Sequence, residues 1–325
     1  MTYTIAVTAP TLSESGVAVL KGAGARVLMI PPGGAAADVE RLLSSEPVDA
    51  VISRTVMLSG KAIESCPTLK VICKHGVGTD NIDVATATRR NIPVLITAAG
   101  NSQAVAELAI GLLLAVARRI PLQDGSIRCK DWDRTKSGLE LSGRVLGLVG
   151  VGEIGRRVAA AARGLGMRVV GFDTAPVGAS QDVERMEDLN DLLDVANVLS
   201  LHCPLNEATR GLISDRELAR LPQDAIVINT ARGGILDEAA LARAIASGNV
   251  FGAGIDCFQR EPIPADSPLL SLSEVVMTAH MGGSTKEALA HVARTAAQQV
   301  IDALNARPID PAICVNPQTL ANRTA

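Results

Sequence analysis

Aromatic residues are scarce: the 325-residue chain holds only Tyr3, Trp132, Phe172, Phe251 and Phe258. Stacking platforms for single-stranded nucleic acid need several such rings together, so that function is excluded. An excess of positive charge is also missing. Thirty-one Lys and Arg against 34 Asp and Glu leave a net charge of −3, and no basic surface is available for a phosphate backbone. No nucleic-acid partner is expected. The longest clean apolar run, Leu108 to Ala117, is about half the length that spans a bilayer, so no membrane partner is expected either. Met1 to Pro10 lacks the charged start and apolar block of a secretory signal. The six cysteines, at 66, 73, 129, 203, 257 and 314, form no C-x-x-C pair, and no His or Cys stands at zinc-ligand spacing around them. Several lie in apolar runs, as Cys73 does in Val-Ile-Cys. They are expected to be buried free thiols in a reducing, cytoplasmic compartment, with no bound metal.

The chain is rich in apolar residues, at 47% against 20% charged, which rules out disorder. Its length corresponds to two domains at about 150 residues each. Short apolar runs alternate with helical stretches from end to end. Strand patterns occur at Thr4–Thr8, Arg26–Ile30, Ala50–Ser53, Lys70–Cys73 and Pro93–Thr97, with helix patterns at Glu14–Gly22, Asp38–Ser44 and Val84–Asn91 between them. The alternation restarts at Arg144–Val151 and continues through Met167–Asp173, Asn197–His202, Ala225–Thr230, Gly252–Asp256 and Val275–His280. Such alternation predicts an α/β fold of two doubly wound, parallel-sheet units. A long apolar helix, about Gln103 to Arg119, runs between them, and a last helix covers Thr285 to Asn305.

The second unit opens on a turn with a specific chemistry. Gly150-x-Gly152-x-x-Gly155 directly follows an apolar strand and opens a helix pattern, Ile154 to Leu165. Gly150 permits the tight turn, Gly152 lets backbone approach a pyrophosphate, and Gly155 lets helix and strand pack closely. The exposed N–H groups at the helix start then face the phosphates. The next strand ends in Asp173, 18 residues beyond Gly155, where a carboxylate accepts from a ribose 2′-OH and repels a 2′-phosphate. No Arg follows Asp173 directly, so NAD is expected over NADP.

Ligands of an open parallel sheet gather beyond the carboxyl ends of its strands. The residues in those places are Asp173, His202-Cys203-Pro204, Thr230-Ala231-Arg232, Asp256 and His280. Singly, Arg232 reads as a surface ion-pair partner, His280 as a neutral histidine at a helix start and Glu261 as a loop acid. Together they make a coherent set: an Arg can fork onto a 2-oxo-acid carboxylate, a His can move the proton at C2, and a Glu can orient that His.

Six ordered segments carry a family resemblance over nearly the whole chain. They are Lys74-His-Gly-Val-Gly-Thr-Asp-Asn-Ile-Asp, Gly100-Asn-Ser-Gln-Ala-Val-Ala-Glu-Leu, the Gly150–Gly155 turn, Asn229-Thr-Ala-Arg-Gly-Gly, Asp256-Cys-Phe-Gln-Arg-Glu-Pro and Thr278-Ala-His-Met-Gly-Gly-Ser-Thr. The chain resembles the D-isomer-specific 2-hydroxyacid dehydrogenases, most of all the phosphoglycerate dehydrogenase branch in a short form without regulatory domains. The resemblance implies a flavodoxin-like substrate domain from 1–99 with 285–325, a Rossmann cofactor domain at 100–284, and a cleft between them. It makes Arg232, Glu261 and His280 catalytic in NAD-dependent hydride transfer at C2 of a D-2-hydroxy acid.

Besides the glycines and Asp173, the resemblance implies NAD contacts from Glu153 and Ile154 at the helix start and from Val77. Further contacts would come from the His202-Cys203-Pro204 turn with Thr209, from Thr230, Ala231 and Arg232, and from Asp256, His280, Gly282 and Gly283. The backbone of Gly76, Val77 and Gly78 would hold the other side of the substrate carboxylate, with Asn101 among the substrate contacts. Arg54, Lys74 and Arg134 match positions that hold a second anion, as in 3-phosphoglycerate.

Lys74-His75 departs from that branch, where Arg and a small residue are commoner, so hydroxypyruvate or glyoxylate reduction stays open as an alternative. Formate dehydrogenase is disfavoured, because that branch carries Gln where Glu261 stands. An NAD-sensing corepressor-like binding protein is the alternative of another class. The region 103–142 matches the family's dimerising segment, so a homodimer is expected, with Trp132 and Arg134 near the partner's cleft.

Overall fold

The computed structural model describes residues 2–174 and 183–323. The chain divides into two compact units, Met1–Asn101 with Ser284–Ala325, and Ser102–Gly283. In the first, strands β1 (Thr4–Val7), β2 (Arg26–Met29), β3 (Ala50–Ser53), β4 (Val71–Lys74) and β5 (Val94–Ile96) form a parallel sheet ordered β2-β1-β3-β4-β5. Helices α1 (Glu14–Gly22), α2 (Ala36–Ser45), α3 (Gly60–Glu64) and α4 (Val84–Arg89) alternate with the strands. β1 and β3 are buried along their whole length, which is why their sequences are unbroken apolar runs rather than alternating ones. One side of the core packs Ile5, Leu20 and Ile52 against Ala293, Ala296 and Val300 of the last helix. The other packs Val39, Leu43, Ile63 and Ile72.

In the second unit, helix α5 (Ser102–Ala117) and helix α6 (Ile120–Arg128) precede strand β6 (Val145–Val149). There follow α7 (Glu153–Gly164), β7 (Arg168–Phe172), the two-residue β8 (Glu184–Arg185), α8 (Leu189–Val195), β9 (Val198–Leu201), α9 (Asp215–Leu218), β10 (Ala225–Asn229), α10 (Glu238–Ala246), β11 (Val250–Ile255) and β12 (Val275–Met277). The strands make one parallel sheet ordered β12-β11-β10-β9-β6-β7-β8. Chain order reverses direction between β6 and β9, the switch point at which doubly wound sheets bind dinucleotides. Helix α5 is apolar almost all round because it is buried, with Ala109, Leu112, Leu113 and Val116 in the core. No helix among the described residues is long and apolar enough to cross a membrane. Helix α11 (Lys286–Leu304), capped by Thr285, belongs to the first unit again, and two short 3-10 turns, Pro311–Ile313 and Pro317–Arg323, follow it.

Both expected α/β units are present, and strand ends differ from the apolar runs by a residue or two. The cysteines are all free. Four are buried, but Cys129, at the end of α6, is exposed, and Cys203 is only partly covered. Cys129 departs from the buried-thiol expectation because α6 has no buried residue at all.

Candidate active site

Parallel register aligns the strand ends of the second unit. Val149 pairs with Leu201, Leu201 with Asn229, Asn229 with Ile255 and Ile255 with Met277. The residues that follow, Gly150, His202, Thr230, Asp256 and Thr278, therefore leave the sheet along one edge. Gly150 has φ +96, and a Cβ there would lie 2.7 Å from the backbone of His202 and Cys203; one at Gly155 would lie 2.4 Å from the Gly150 carbonyl oxygen. Gly152, the residue before α7, is exposed and has open space above it. Asp173 accepts from the Val151 N–H at 2.8 Å, so the acid at the end of β7 is tied to the glycine turn. These features fit a dinucleotide: a bare backbone cradle at a helix N-terminus with a carboxylate beside it.

Next to the cradle, two buried polar atoms have no partner among the described residues, His202 Nδ1 and Thr230 Oγ1. His202 Nε2 shares a hydrogen bond with Ser200 Oγ at 2.8 Å, and burial pushes the ring's pKa down to about 4. Burial likewise pushes the Cys203 thiol up to about 11. Pro204 contributes its carbonyl, which accepts from Thr209 Oγ1 at 2.6 Å and closes that turn. Glu153 pairs with Arg156 at 3.0 Å on the exposed side of α7, while Ile154 is half-buried.

His280 stands in a strained turn at φ +50. Its backbone N–H donates to the Asp256 carbonyl at 2.8 Å. The Asp256 side chain does the rest of the holding. Oδ1 accepts from Thr278 Oγ1 at 2.6 Å and from Met281 N–H at 2.7 Å, and Oδ2 from Gly282 N–H at 2.9 Å. Asp256, expected to touch cofactor, is thus a buried clamp for the turn that carries His280 and leads to Gly283.

The His280 ring is fixed by Glu261, with Nδ1 at 2.8 Å from Oε2 and 3.1 Å from Oε1, while Oε1 also accepts from Phe258 N–H at 3.0 Å. Burial alone would raise the Glu261 pKa. The hydrogen bonds from His280 and Phe258, with the nearby charges of His280 and Arg232, outweigh it and hold the carboxyl below the usual range. The other ring nitrogen, Nε2, has no partner among the described residues, and the side chain is half-exposed.

Arg232 lies just past β10, where Asn229 braces the turn: Oδ1 accepts from Ala231 N–H at 3.1 Å and Nδ2 donates to the Arg232 carbonyl at 2.9 Å. Asn229 was not singled out from the sequence, although it ends the same apolar strand. Glu238, at the start of α10, was missed as well. Its carboxylate accepts the Gln259 N–H from the far side of the Glu261 segment, and burial, with Asp237 and Glu261 nearby, raises its pKa.

Arg54, Lys74, Gly76, Val77, Gly78 and Asn101 all lie in the first unit, and Arg134 in the second. Val77 is exposed, and the N–H of buried Gly76 donates to the Thr97 hydroxyl oxygen at 2.8 Å. Arg54 is half-buried, which lowers its pKa, and donates to the Thr11 carbonyl at 3.2 Å. Lys74 is engaged within the unit: its Nζ meets the Arg54 carbonyl and Asn81 Oδ1, each at 2.5 Å. His75 beside it is held neutral, its pKa pushed down to about 4 by burial and by the charge of Arg54. Arg134 is exposed.

The fold and the strand-end residues define a doubly wound dinucleotide-binding protein with an Arg, a Glu and a His on its second sheet. Residues 110–282 match the NAD-binding domain of the D-isomer specific 2-hydroxyacid dehydrogenases, and the chain belongs to that family. It is 40% identical to the D-3-phosphoglycerate dehydrogenase of Methanocaldococcus jannaschii over 266 residues, 80% of this chain and 51% of that protein. The chain spans about half the length of the curated phosphoglycerate dehydrogenases it matches. It is 42% identical to the hydroxypyruvate reductase of Thermotoga maritima over 246 residues, 74% of this chain and 80% of that one. The crystal structure of the TT0316 protein from Thermus thermophilus superposes with a TM-score of 0.86 at 33% identity, covering 96% of this chain and 99% of that one.

Proposed function

We propose that the protein is an NAD-dependent oxidoreductase acting at C2 of a D-2-hydroxy acid or its 2-oxo acid. The observation that carries this reading is the Glu261–His280 pair, 2.8 Å apart, with the second ring nitrogen left open. The cradle of Gly150, Gly152 and Gly155, with Asp173, would hold the dinucleotide. Bound NAD supplies the hydride acceptor. Glu261 keeps the proton of neutral His280 on Nδ1, so Nε2 presents its lone pair to the C2 hydroxyl and takes that proton in oxidation. The imidazolium formed there is stabilised by a carboxylate that is already ionised. In the reverse direction the same Nε2 proton goes to the C2 oxygen. Arg232 would fork onto the substrate carboxylate and draw charge toward the reacting carbonyl.

For the acid itself we favour one with a second anionic group, with Arg54, Lys74 and Arg134 as the candidate basic residues for it. A plain acid such as hydroxypyruvate or glyoxylate is the second reading. It is favoured by the closure of Lys74 onto Arg54 and Asn81, which leaves its ammonium engaged within the first unit. NADH oxidation against phosphohydroxypyruvate, sulfopyruvate, oxaloacetate, hydroxypyruvate and glyoxylate decides between them. A clear preference among the first three supports the second anion, and preference for the last two returns Arg54 and Arg134 to the surface. NADH binding without turnover of any would bring forward a cofactor-sensing binding protein.

The unit of function we infer is a homodimer built through 103–142, in a cytoplasmic setting. Ile120 and Ile127 are half-exposed on α6, and Trp132 beyond it is 77% exposed, a concentration of apolar surface on one segment. Light scattering on the purified protein is expected to give twice the mass of the chain. A fully active monomer would refute the dimer.

A further inference from the structure

We propose that Cys257, Glu261 and His280 form a binding site for a thiophilic divalent cation of the zinc class, and that occupancy halts the proton relay. One ligand atom from each residue, the Cys257 thiol, a Glu261 carboxylate oxygen and a ring nitrogen of His280, lies within 4.8 Å of the other two. Zinc bonds of about 2.0–2.3 Å to oxygen, nitrogen and sulfur put tetrahedral ligands about 3–4 Å apart, so the triangle needs to close by roughly an ångström. The donor set, one soft thiolate with an imidazole and a carboxylate, selects zinc or cadmium over magnesium or calcium.

Placement favours the same reading. Cys257 is the second residue past β11 and is 1% exposed, against the more exposed Glu261 and His280 side chains. A cation entering from the solvent side meets the carboxylate and ring first, keeps a water on its outer face and has the sulfur beneath it. Burial pushes the Cys257 thiol up to about 12, with the negative charges of Asp256 and Glu261 adding to the rise and Arg232 opposing it, so the sulfur stays protonated until a cation displaces its proton. Cys257 has no hydrogen bond among the described residues and no part in the relay, so its sulfur is available.

Binding involves no oxidation. The Cys257 S–H bond breaks, a sulfur–metal bond forms and the proton leaves to solvent. The Glu261–His280 hydrogen bond opens as both turn to the metal. A coordinated His280 no longer exchanges the C2 proton, and removing the metal restores it. The inhibition rests on the proposed dehydrogenase activity; the binding does not.

The test uses the full chain carrying Cys129→Ser, which removes the exposed competing thiol, titrated with zinc against a chromophoric chelator. One zinc per chain is expected, with loss of NADH oxidation tracking occupancy and full recovery in excess EDTA. Adding Cys257→Ser should leave metal-free turnover unchanged and weaken zinc binding at least about tenfold, since even outer-shell partners of metal ligands contribute 10–100-fold. The inhibition midpoint should move by the same factor. Cys257→Ala serves if the serine variant misfolds, with far-UV circular dichroism and NADH binding as controls. Failure of the Cys129→Ser chain to bind zinc, or equal affinity in the Cys257 variants, overturns the site. Stoichiometric binding without inhibition overturns the coupling to the relay. Because the titration needs no turnover, it still reads the site if the chain reduces no 2-oxo acid.

Discussion

Replacing His280 by Ala is expected to lower kcat/KM by on the order of 10²-fold or more while NADH still binds. The two effects separate because the ring and the cradle depend on different parts of the sheet edge. The glycine turn is held by Asp173 at the Val151 N–H and by the packing of Gly155 on Gly150. The His280 turn is held by its backbone and by Asp256, which bonds Thr278, Met281 and Gly282 rather than the imidazole. Removal of the ring therefore leaves the turn in place and takes away the group that carries the C2 proton. Steady-state kinetics beside a fluorescence titration with NADH would check it. Near-normal turnover in the variant would remove His280 from the mechanism, and lost NADH binding would show that the ring also shapes the cofactor site.

The alternation of apolar runs made the two sheets legible, because strands buried on both faces, such as those at Ile5 and Val227, carry a continuous signal. Helices of four or five residues, α3 and α9, and the two-residue β8 are too short to show a period. The glycine turn could be read because its chemistry is local, all within six residues and one strand end. Asp256 could not be read fully. Its position at the end of β11 is visible, but its three donors lie 22 to 26 residues further on and only the fold brings them to it. Lys74 shows the same gap: a lone basic residue reads as an anion ligand until the chain folds Asn81 and the Arg54 carbonyl onto its ammonium. Cys257 has no His or Cys at metal-ligand spacing in sequence: Glu261 is four residues on, but His280 is 23 residues away across β12.

Gly233→Ala should be the most damaging small substitution in the second unit. A Cβ at that position would lie 1.9 Å from the Phe258 carbonyl carbon, 2.0 Å from its oxygen and 2.2 Å from the Gln259 nitrogen. These are backbone atoms, and they cannot swing aside as the end of a side chain can. The Phe258 segment is also pinned from both directions, by Glu261 Oε1 on its N–H and by Glu238 on the Gln259 N–H. The turn after Arg232 must therefore move away. We expect a stability loss of at least about 1–3 kcal/mol, the usual cost of overpacking a close-packed site.

Activity should fall further than stability implies. Arg232 is on the displaced turn and Glu261 is on the segment it leaves, so the guanidinium and the Glu261–His280 pair separate. A misplacement of about 1 Å can cost on the order of 10²-fold in rate. Gly164→Ala, in α7 with open space at its Cβ, is the matched control and should change neither property by more than a small amount. Thermal unfolding with kcat/KM on both variants would test this. Wild-type kinetics in a folded Gly233→Ala protein would mean that the turn tolerates the shift and that Arg232 does not need its present position beside Glu261.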